Sequence, residues 1–435
     1  MAERTTSPGG AGPVRAGAAS GRSRRTAVIA VLGAALAAAV ALAAIVALTL
    51  QSGSGGQGDG PSRPDASPPR GLGPAVDLST SSRRQFYVSA SRGDDEADGS
   101  RRRPWRTIRR AAVAAVPGST VHVSRGSYRG PVTLPRSGSS GHRIRFTSTT
   151  RWGARIRAAR RRAVAIVDIR GAYVDFEGFD VSGRGGDGTV GILVVGNHSR
   201  AIANHVHDLA IGCSGSRGGA GIGFDGGAAH YRSHHQAAIG NFVENVGSGP
   251  RDGSCRGVHG IYMAARRGVA VNNVIVRSAG DGITSWHAAS ALRVSNNTSV
   301  GNGGNGITIG SGGGGGVTTG NRGSLVANNI TVGNHICGIT ESSDGRRPRP
   351  DDNGYYSNLM FANTKRGNAC DTWSDDWTRT ITADPLFVDR ARNDLRVAPN
   401  SPAVSSGTSR PAPPYDYDGI RRPKGPGIDR GAFER

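Results

Sequence analysis

Side chains that can transfer protons and bind sugar rings recur around a series of Gly-Ile pairs in the second half of the chain. The positions just before, two after, and four or five after these glycines hold Asp225, His259, Tyr262, Asp281, Trp286 and His287. Histidine, tyrosine and carboxylate groups can remove or return a proton, and an indole face can stack on a pyranose ring. The spacing therefore predicts a carbohydrate-processing surface, provided that successive Gly-Ile segments lie side by side.

Elimination or epimerisation at a uronate sugar is the first reaction that this group could perform. A base removes the proton at C5, and a cation stabilises the carboxylate as it gains enolate character. The candidate catalytic bases are His259 and Tyr262. Arg256, Arg266 or a bound metal could supply the positive charge. The candidate substrate-binding residues are Arg256, Arg266, Trp286 and His287.

Hydrolysis of a glycosidic bond is the second reaction, and it needs two carboxylates about 5 to 9 Å apart. Asp225 and Asp281 are the candidate catalytic pair. They would lie two turns apart, at about 9 to 10 Å if stacked strands are about 4.8 Å apart. A third interpretation is a non-catalytic surface that binds glycans or the cell wall. The sequence is consistent with all three. It favours a lyase or an epimerase that acts on an acidic polysaccharide, and hydrolysis is the weaker fit, because the expected carboxylate separation is at the upper limit.

The Gly-Ile pairs belong to an internal repeat. They begin at Gly191, Gly221, Gly260, Gly282, Gly306 and Gly338, and each repeat also reaches an asparagine between apolar residues, at Asn204, Asn241, Asn273, Asn297, Asn329 and Asn358. Ile261 and Ile283 are 22 positions apart, and Ile283 and Ile307 are 24 apart. Repeats of about 20 to 50 residues are typical of arrays whose units bury their apolar faces only against their neighbours.

Each repeat is predicted to consist of short strands rather than helices. Its apolar runs are short, rich in Val and Ile, and end at Gly, Asn or Ser. Three such strands per repeat predict an all-β fold, a right-handed parallel β-helix solenoid in which each strand pairs with its copy one turn away. The isoleucines would then stack inside, and the asparagines would form a second internal ladder of amide hydrogen bonds. The 68 glycines would permit the tight corners.

Two further segments carry a family resemblance. The first runs from Phe86–Ser89 through Pro104–Ile108 to Gly126–Tyr128, and the second comprises Asp384–Val388, Asn400–Ala403 and Asp429–Glu434. With the repeat, they make the chain similar to the pectin-lyase-like superfamily of right-handed parallel β-helix proteins, in the group found on bacterial surfaces. The resemblance implies the fold but no single reaction, because this architecture hosts lyases, hydrolases, epimerases and binders.

Calcium is the one cofactor that the resemblance suggests. The best-known lyases of this fold use a lysine or arginine base beside calcium held by clustered aspartates, and the repeat contains neither a lysine nor such a cluster. Calcium could bind at Asp94, Asp95, Glu96 and Asp98, or at Asp351 and Asp352, but both segments are more typical of solvated turns. Because no Cys-x-x-Cys pattern occurs, we expect no structural zinc site and assign no metal ligands.

The N-terminal region predicts a membrane anchor. Residues 1–25 are predicted to form a disordered cytoplasmic tail. Residues 26–50 carry no charge and exceed the about 20 apolar residues that cross a bilayer, and the arginines before them predict a cytoplasmic N-terminus. A cleaved secretory signal is the alternative, although its apolar region usually has about 7 to 15 residues. Residues 51–83 predict a flexible Gly/Pro/Ser-rich linker.

The remaining residues would therefore lie outside the cell, in a single-pass plasma-membrane protein. Residues 84–383 are predicted to form the β-helix, and residues 384–435 a closing segment. An amphipathic helix within 105–116, ended by Pro117-Gly118, would cover the open N-terminal end of the coil. Four cysteines in an oxidising compartment allow two disulfides. We favour the pairs Cys213–Cys255 and Cys337–Cys370, because each would join neighbouring turns.

The strongly basic composition bears on partners. The formal net charge is +22, and 52 of the 54 basic residues are arginine. Such a charge favours polyanions, and outside the cell this means acidic polysaccharides or cell-wall glycans. A solvated surface near an anionic wall is an equally good interpretation. We expect no nucleic-acid partner, because no aromatic-interleaved basic motif is present, and we expect a monomer.

Overall fold

The chain winds through three parallel sheets, named A, B and C, and passes from A to B to C in each full turn. The computed structural model describes residues 84–158, 164–183, 189–213, 218–225, 227–313, 320–346 and 348–435. Each strand pairs in parallel with the copies of itself one turn before and one turn after. This is the predicted right-handed parallel β-helix.

The strands are numbered along the chain. Sheet A contains β1 Arg84–Val88, β2 Ser119–Val123, β5 Ile144–Ser148, β8 Val174–Glu177, β11 Arg200–Ile202, β14 Ala237–Ile239, β17 Val269–Val271, β20 Arg293–Ser295, β23 Leu325–Ala327, β26 Gly354–Tyr356 and β29 Asp376–Thr378. Sheet B contains β3 Gly126–Arg129, β6 Ala154–Ala158, β9 Asp180–Gly183, β12 His205–Leu209, β15 Phe242–Val246, β18 Val274–Val276, β21 Thr298–Val300, β24 Ile330–Val332, β27 Leu359–Phe361 and β30 Ile381–Thr382. Sheet C contains β4 Val132–Leu134, β7 Ala165–Ile169, β10 Val190–Val194, β13 Gly219–Phe224, β16 Val258–Met263, β19 Asp281–Ser285, β22 Ile307–Ser311, β25 Cys337–Ser343 and β28 Gly367–Cys370.

A column of isoleucines runs inside sheet C, as predicted. Its members are Ile192, Ile222, Ile261, Ile283, Ile307 and Ile339, and each is the register partner of the next. None of these side chains has exposed surface. Because a fully buried isoleucine contributes about 1.5–3 kcal/mol, each turn is stabilised mainly by the turns on either side of it.

The predicted asparagine ladder lies at the corner between sheets A and B. From Asn204 to Asn358, the backbone N and the side-chain Nδ2 of each asparagine donate to Oδ1 of the next, at 2.9–3.2 Å. All six asparagines are fully buried. The amides therefore satisfy the bent backbone that the corner would otherwise leave without partners.

The residue before each ladder asparagine has a positive φ, which makes the corner tight. Gly240, Asn272, Asn296 and Asn328 occupy four of these positions, with φ between 54° and 61°. Glycine and asparagine visit this left-handed region most readily. The structure also contains a second asparagine column, between sheets B and C, which the sequence did not predict. It is formed by Asn302, Asn334 and Asn363.

A short helix covers the N-terminal end of the coil, as predicted. The helix α1 (Ile108–Ala114) is capped by Thr107, whose Oγ1 accepts a hydrogen bond from Arg110 N at 3.2 Å. Its buried residues are Ile108, Ala111 and Ala112. They join the core beside the first strands of the coil and keep the open strand edges from solvent.

The C-terminal segment folds back along the outer face of sheet B. It begins with an antiparallel hairpin of β31 (Phe387–Asp389) and β32 (Asp394–Val397), joined by a 3₁₀ helix at Arg390–Arg392. Farther on, Gly431 N donates to Asn328 O at 2.6 Å, and Ala432 N donates to Thr298 Oγ1 at 3.0 Å. The segment therefore contacts several turns at once.

The predicted cytoplasmic tail, membrane anchor and linker, residues 1–83, lie outside the described residues. Across the described ranges, no helix has both the length and the apolar character that a membrane crossing requires. The last strand of the coil is β30, which ends at Thr382.

Replacing Asn297 by alanine should destabilise the coil by about 3 kcal/mol or more, because buried donors and acceptors on Asn273, Asn329 and Ala270 lose their partner. Each such group costs about 1–3 kcal/mol when it is left unsatisfied. The thermal unfolding midpoint, measured by circular dichroism, should fall. Asn400→Ala is the matched control, since Asn400 is exposed. Equal midpoints for the two variants would contradict the role of the ladder.

Candidate active site

A groove of about 560 Å³ lies on the outer face of sheet C. It runs across β16, β19, β22 and β25, and five of the eight residues singled out from the sequence line it: Arg256, His259, Tyr262, Asp281 and Trp286. Ligand sites in proteins commonly have volumes of about 300–1,000 Å³. The structure therefore joins most of the candidate residues in one site of suitable size.

The Gly-Ile pair explains how histidine and tyrosine reach the same face. In β16, Gly260 and Ile261 both face the interior, and a Cβ added to Gly260 would lie 2.4 Å from Ile275 Cγ2. Only glycine fits there. His259 and Tyr262, on either side of the pair, therefore both line the groove, although a regular strand would place them on opposite faces. Their register partners on β19 are Asp281 and Thr284.

The hydroxyl of Thr284 connects His259 to Asp281. Thr284 Oγ1 lies 2.9 Å from His259 Nδ1 and 2.9 Å from Asp281 Oδ2. A hydroxyl has a single proton, and an ionised carboxylate can only accept. Thr284 therefore donates to Asp281 and accepts from the Nδ1–H of His259. The other ring nitrogen of His259, Nε2, then carries the free lone pair.

Burial favours the neutral form of His259. It lowers the pKa of His259 below its usual value, and the negative charge of Asp281 acts in the opposite direction. Only 8% of the residue surface is exposed, on the groove side. A neutral imidazole with a fixed tautomer is ready to accept a proton, as a general base must be.

Asp281 has a full set of hydrogen bonds. Its Oδ1 accepts from the backbone N of Asn305 at 2.7 Å and from Asn305 Nδ2 at 3.3 Å. Its Oδ2 accepts from the hydroxyls of Thr284 and Thr308 at 2.9 and 2.8 Å. Both oxygens are therefore occupied, and this geometry favours a positioning role over the direct catalytic role that the sequence suggested.

Tyr262 lies against His259, with ring centroids 5.1 Å apart and nearly parallel planes. Burial raises the pKa of Tyr262 well above its ordinary value, and the neighbouring Tyr231 acts in the same direction. The phenol therefore stays protonated at neutral pH. A protonated phenol beside a neutral imidazole supplies an acid and a base in one site.

Trp286 forms a flat wall of the groove. A Cβ on Gly310 would lie 2.1 Å from Trp286 Cε3, and a Cβ on Gly312 would lie 1.7 Å from Nε1. The indole therefore lies directly on the backbone of the next turn, which fixes its plane. His287, its neighbour, does not line the groove; its Nδ1 donates to Gly313 O at 2.7 Å, and its ring stacks on Tyr231 at 4.1 Å.

Besides His287, two more of the sequence-predicted residues do not line the groove. Asp225 is fully buried, and its Oδ1 and Oδ2 accept from the backbone N of Ala229 and Ser233 at 2.8 and 3.0 Å. It holds the loop after β13, so the proposed pairing of Asp225 with Asp281 is corrected. Arg266 is exposed beyond the end of β16 and does not line the groove.

Positive charge reaches the rim of the groove from other residues. Arg256 and Lys365 are both exposed and line it, and Arg366 forms an ion pair with Asp371 at 2.6 Å. Sequence reasoning missed Lys365 because it follows the repeats. It also missed Thr284, since a threonine in a strand carries no chemical signal of its own.

Both predicted disulfides are confirmed. Cys213 is bonded to Cys255, and Cys337 to Cys370, with Cα–Cα distances of 5.0 and 6.3 Å. Cys255, Cys337 and the loops next to them line the groove. Each disulfide joins neighbouring turns and so fixes a loop at the side of the groove relative to sheet C.

The acidic segments considered for calcium form local hydrogen bonds. Asp95 accepts from the backbone N of Arg106 and Thr107 at 2.9 and 2.8 Å, and so ties the turn after β1 to the start of α1. Asp98 accepts from Ser100 N at 2.8 Å. Asp351 is exposed and lies 3.3 Å from Arg322. These contacts are those of turns.

Replacing Thr284 by valine should remove the hydrogen bond that fixes the tautomer of His259. In the unmodified protein, ¹⁵N NMR of His259 should show the Nδ1–H form and a titration below the ordinary histidine range. Thr284→Val should give mixed tautomers. Thr308→Val is the matched control, because Thr308 also donates to Asp281 but no hydrogen bond joins it to His259. An unchanged tautomer in Thr284→Val would refute the proton arrangement.

Comparisons with known proteins agree with this fold. The family model "Protein of unknown function (DUF1565)" matches residues 91–132, which include α1, β2 and β3. No curated protein sequence matches the chain. The crystal structure of pectate lyase Pel9A superposes with a TM-score of 0.54 at 17% identity, over 82% of this chain and 98% of that one.

Two further structures superpose less closely. They are an alginate lyase from Paenibacillus sp. str. FPU-7 (TM-score 0.46, 14% identity, 69% of this chain and 98% of that one) and a rhamnogalacturonan lyase (TM-score 0.42, 14% identity, 72% and 95%). The three parallel sheets and the pectate lyase superposition together show that this chain has the right-handed parallel β-helix fold, which pectate lyase Pel9A shares.

Proposed function

We propose that this protein is a cell-surface enzyme that acts on an acidic, uronate-containing polysaccharide, as a lyase or an epimerase. The observation that carries the proposal is the hydrogen-bond chain Asp281–Thr284–His259, which presents a neutral imidazole to a groove of sugar-binding size. Pectate, the substrate in the name of the structural relative, belongs to this class of polymer.

His259 is the base in this mechanism. Its Nε2 takes the proton from C5 of the uronate, and the positive charge that forms on the ring is stabilised through Thr284 by the Asp281 carboxylate. The fixed tautomer matters because a ring with the proton on Nε2 could not accept another there. Binding and positioning of the sugar then determine which C5 proton is within reach.

Tyr262 has a different role in each of the two reactions. In a lyase, its phenol gives a proton to O4 as the C4–O4 bond breaks, and the electrons of the broken C5–H bond form the C4=C5 double bond. In an epimerase, a proton from solvent returns to C5 from the opposite side of the sugar ring, and no chain bond is broken; the phenol, which is stacked on the base, then helps to hold the sugar. The raised pKa of Tyr262 keeps the phenol protonated in either reaction.

The rim of the groove would bind and orient the polymer. The indole of Trp286 offers a fixed apolar plane on which a pyranose ring can stack. The cations of Arg256 and Lys365 can pair with uronate carboxylates. One of these pairings would also lower the free-energy barrier to removal of the C5 proton, because it neutralises the carboxylate that gains charge in the transition state.

Hydrolysis is less well supported by the same groove. Among the described residues, three carboxylates line it, and each already has partners: Asp281 has four donors, Asp344 accepts from Gly313 N at 2.8 Å, and Asp371 pairs with Arg366. A glycoside hydrolase needs one free carboxylic acid and one free carboxylate on either side of the bond. We therefore rank hydrolysis below elimination.

The proposed location follows from the N-terminal sequence. Residues 26–50 would anchor the protein in the plasma membrane, with the N-terminus in the cytoplasm and the β-helix outside. The two disulfides support an oxidising compartment. A monomer on a flexible linker would then reach cell-wall or environmental glycans near the membrane.

The full-length chain, mixed with a panel of uronate polymers, should produce the ultraviolet absorbance of unsaturated uronates or, for an epimerase, an altered uronate composition by NMR. His259→Gln and Tyr262→Phe should each lower kcat by about 10²- to 10⁴-fold, the usual contribution of a positioned acid or base. Calcium and a chelator should be tested separately, since calcium is a candidate cofactor.

Arg256→Gln should raise KM, whereas Arg266→Gln should behave as the unmodified protein, because Arg256 lines the groove and Arg266 does not. Binding of a polymer without turnover would replace the proposal by a non-catalytic glycan-binding role. Release of reducing ends without unsaturated product would indicate a hydrolase instead.

A further inference from the structure

We propose that Asp180, His205 and His207 form a binding site for a divalent transition-metal ion of the zinc type. These residues lie on the outer face of sheet B, away from the groove on sheet C. The proposal is independent of the proposed enzymatic function. It concerns how the outer face of the coil is held together.

The register of sheet B brings the three side chains together. Asp180 and His205 are direct partners on β9 and β12. His207 lies two residues after His205, and the residue between them, Val206, is fully buried, so both imidazoles are on the outer face. Their rings stack with centroids 4.0 Å apart. The sequence gives no sign of this site, since Asp180 is 25 positions from His205 and the three residues match no common metal-binding spacing.

The separations of the donor atoms suit a small cation. Asp180 Oδ2 lies 3.2 Å from His207 Nε2 and 3.8 Å from His205 Nδ1, and the three atoms all lie within 4.8 Å of one another. Ligands of tetrahedral zinc, bound at about 2.0–2.2 Å, are about 3.4 Å apart. Side-chain movements of well under 1 Å for the aspartate–histidine pairs would reach this geometry.

Two carboxylates fix the imidazoles in the form that a metal requires. Glu244 Oε1 lies 3.1 Å from His205 Nε2, and Asp208 Oδ2 lies 2.9 Å from His207 Nδ1. Because ionised carboxylates only accept, these ring nitrogens are N–H donors. In the neutral rings, the lone pairs of His205 Nδ1 and His207 Nε2 then both face Asp180. Histidine ligands of metals usually have this arrangement, with the outer N–H on a carboxylate.

The ring nitrogens that face Asp180 have no well-directed hydrogen-bond partners in the described part of the chain. His207 Nε2 has no contact with solvent, and no well-directed hydrogen bond reaches it from the described part of the chain, although Asp180 is near. When both imidazoles are neutral, three atoms with lone pairs face one another, and either a proton on His207 Nε2 or a metal ion among the three atoms relieves their repulsion. A metal ion removes this repulsion for all three at once.

The surrounding charge also favours a cation. Three carboxylates, those of Asp180, Asp208 and Glu244, surround the imidazoles. Two guanidinium groups offset part of this charge: Arg157 lies 3.3 Å from Asp180 Oδ1, and Arg277 lies 2.6 Å from Glu244 Oε2. The cluster therefore keeps an excess of one negative charge when the imidazoles are neutral. Imidazole ligands favour zinc-type ions over calcium or magnesium.

A second histidine group provides a contrast within the same chain. His198, His234 and His235 also lie within ligand distance of one another. Here the Nδ1 atoms of His234 and His235 are 2.8 Å apart and share a hydrogen bond, and the positive charge of Arg143 acts on His198. The described contacts place no carboxylate on these rings. This second group is therefore a suitable control.

A metal at this site would act as a brace. Asp180, His205 and Glu244 belong to three successive turns, and Glu244 also accepts a hydrogen bond from Asn393 Nδ2 at 3.3 Å, in the C-terminal segment. An ion held by Asp180 and the two histidines would fix the imidazole that orients Glu244. Metal binding would thereby stabilise the contact between the coil and its closing segment.

The test is the metal content of the full-length chain after chelator treatment, incubation with Zn²⁺ and dialysis, measured by atomic emission. The unmodified chain should retain zinc, and His207→Gln and Asp180→Asn should lose one equivalent of it. His198→Gln is the control and should retain all of it. Glu244→Gln should weaken zinc binding by about 10- to 100-fold, the usual effect of losing a carboxylate behind a histidine ligand.

Thermal unfolding gives a second measurement that needs no variant. An ion that binds only the folded chain raises the unfolding midpoint, so Zn²⁺ should raise it and Ca²⁺ should not. The proposal is wrong if the unmodified chain retains no zinc or shows no shift. It is also wrong if zinc is lost in His198→Gln but kept in His207→Gln, because the ion would then lie at the other histidine group.

Discussion

The one-turn register of the parallel sheets is the constraint on which the rest of this protein depends. Two internal columns set it: isoleucines that stack inside sheet C and asparagines that join their amides at the corner between sheets A and B. The isoleucines supply the apolar burial, but they tolerate small shifts. The asparagines do not, because a slip of one residue would leave several buried amides without partners.

Both proposed sites, the groove on sheet C and the histidine cluster on sheet B, depend on this register. His259, Asp281 and Thr308 come from three successive turns, and no local segment of the chain contains the proposed acid, the proposed base and the residues that position them. The same holds for Asp180 and His205 on sheet B. In a solenoid the repeated element fixes the backbone so well that single substitutions on its outer face can create a site without disturbing the core.

The sequence predicted the coil, its two columns and the disulfides because a repeat makes every register partner readable from spacing alone. It also predicted that His259 and Tyr262, which flank one Gly-Ile pair, would lie on the same surface, and both line the groove. It failed for Asp225, which lies just past the end of its strand, where the backbone turns into a loop and the carboxylate binds that loop. It missed Thr284 because the role of that residue is visible only once the hydroxyl is seen between two partners.

The closing segment changes the way in which such a coil can come apart. In a simple solenoid each turn contacts only its neighbours, so the last turns can fray one at a time. Here Arg422 Nη2 reaches Asn272 Oδ1 at 3.3 Å, and Arg277 Nη1 reaches Asn393 Oδ1 at 2.8 Å, several turns back from the end of the coil. Opening the last turn therefore also breaks contacts deep in the array. The C-terminal half of the coil should unfold as one cooperative unit, and a nascent chain would complete that unit only after the closing segment has been synthesised.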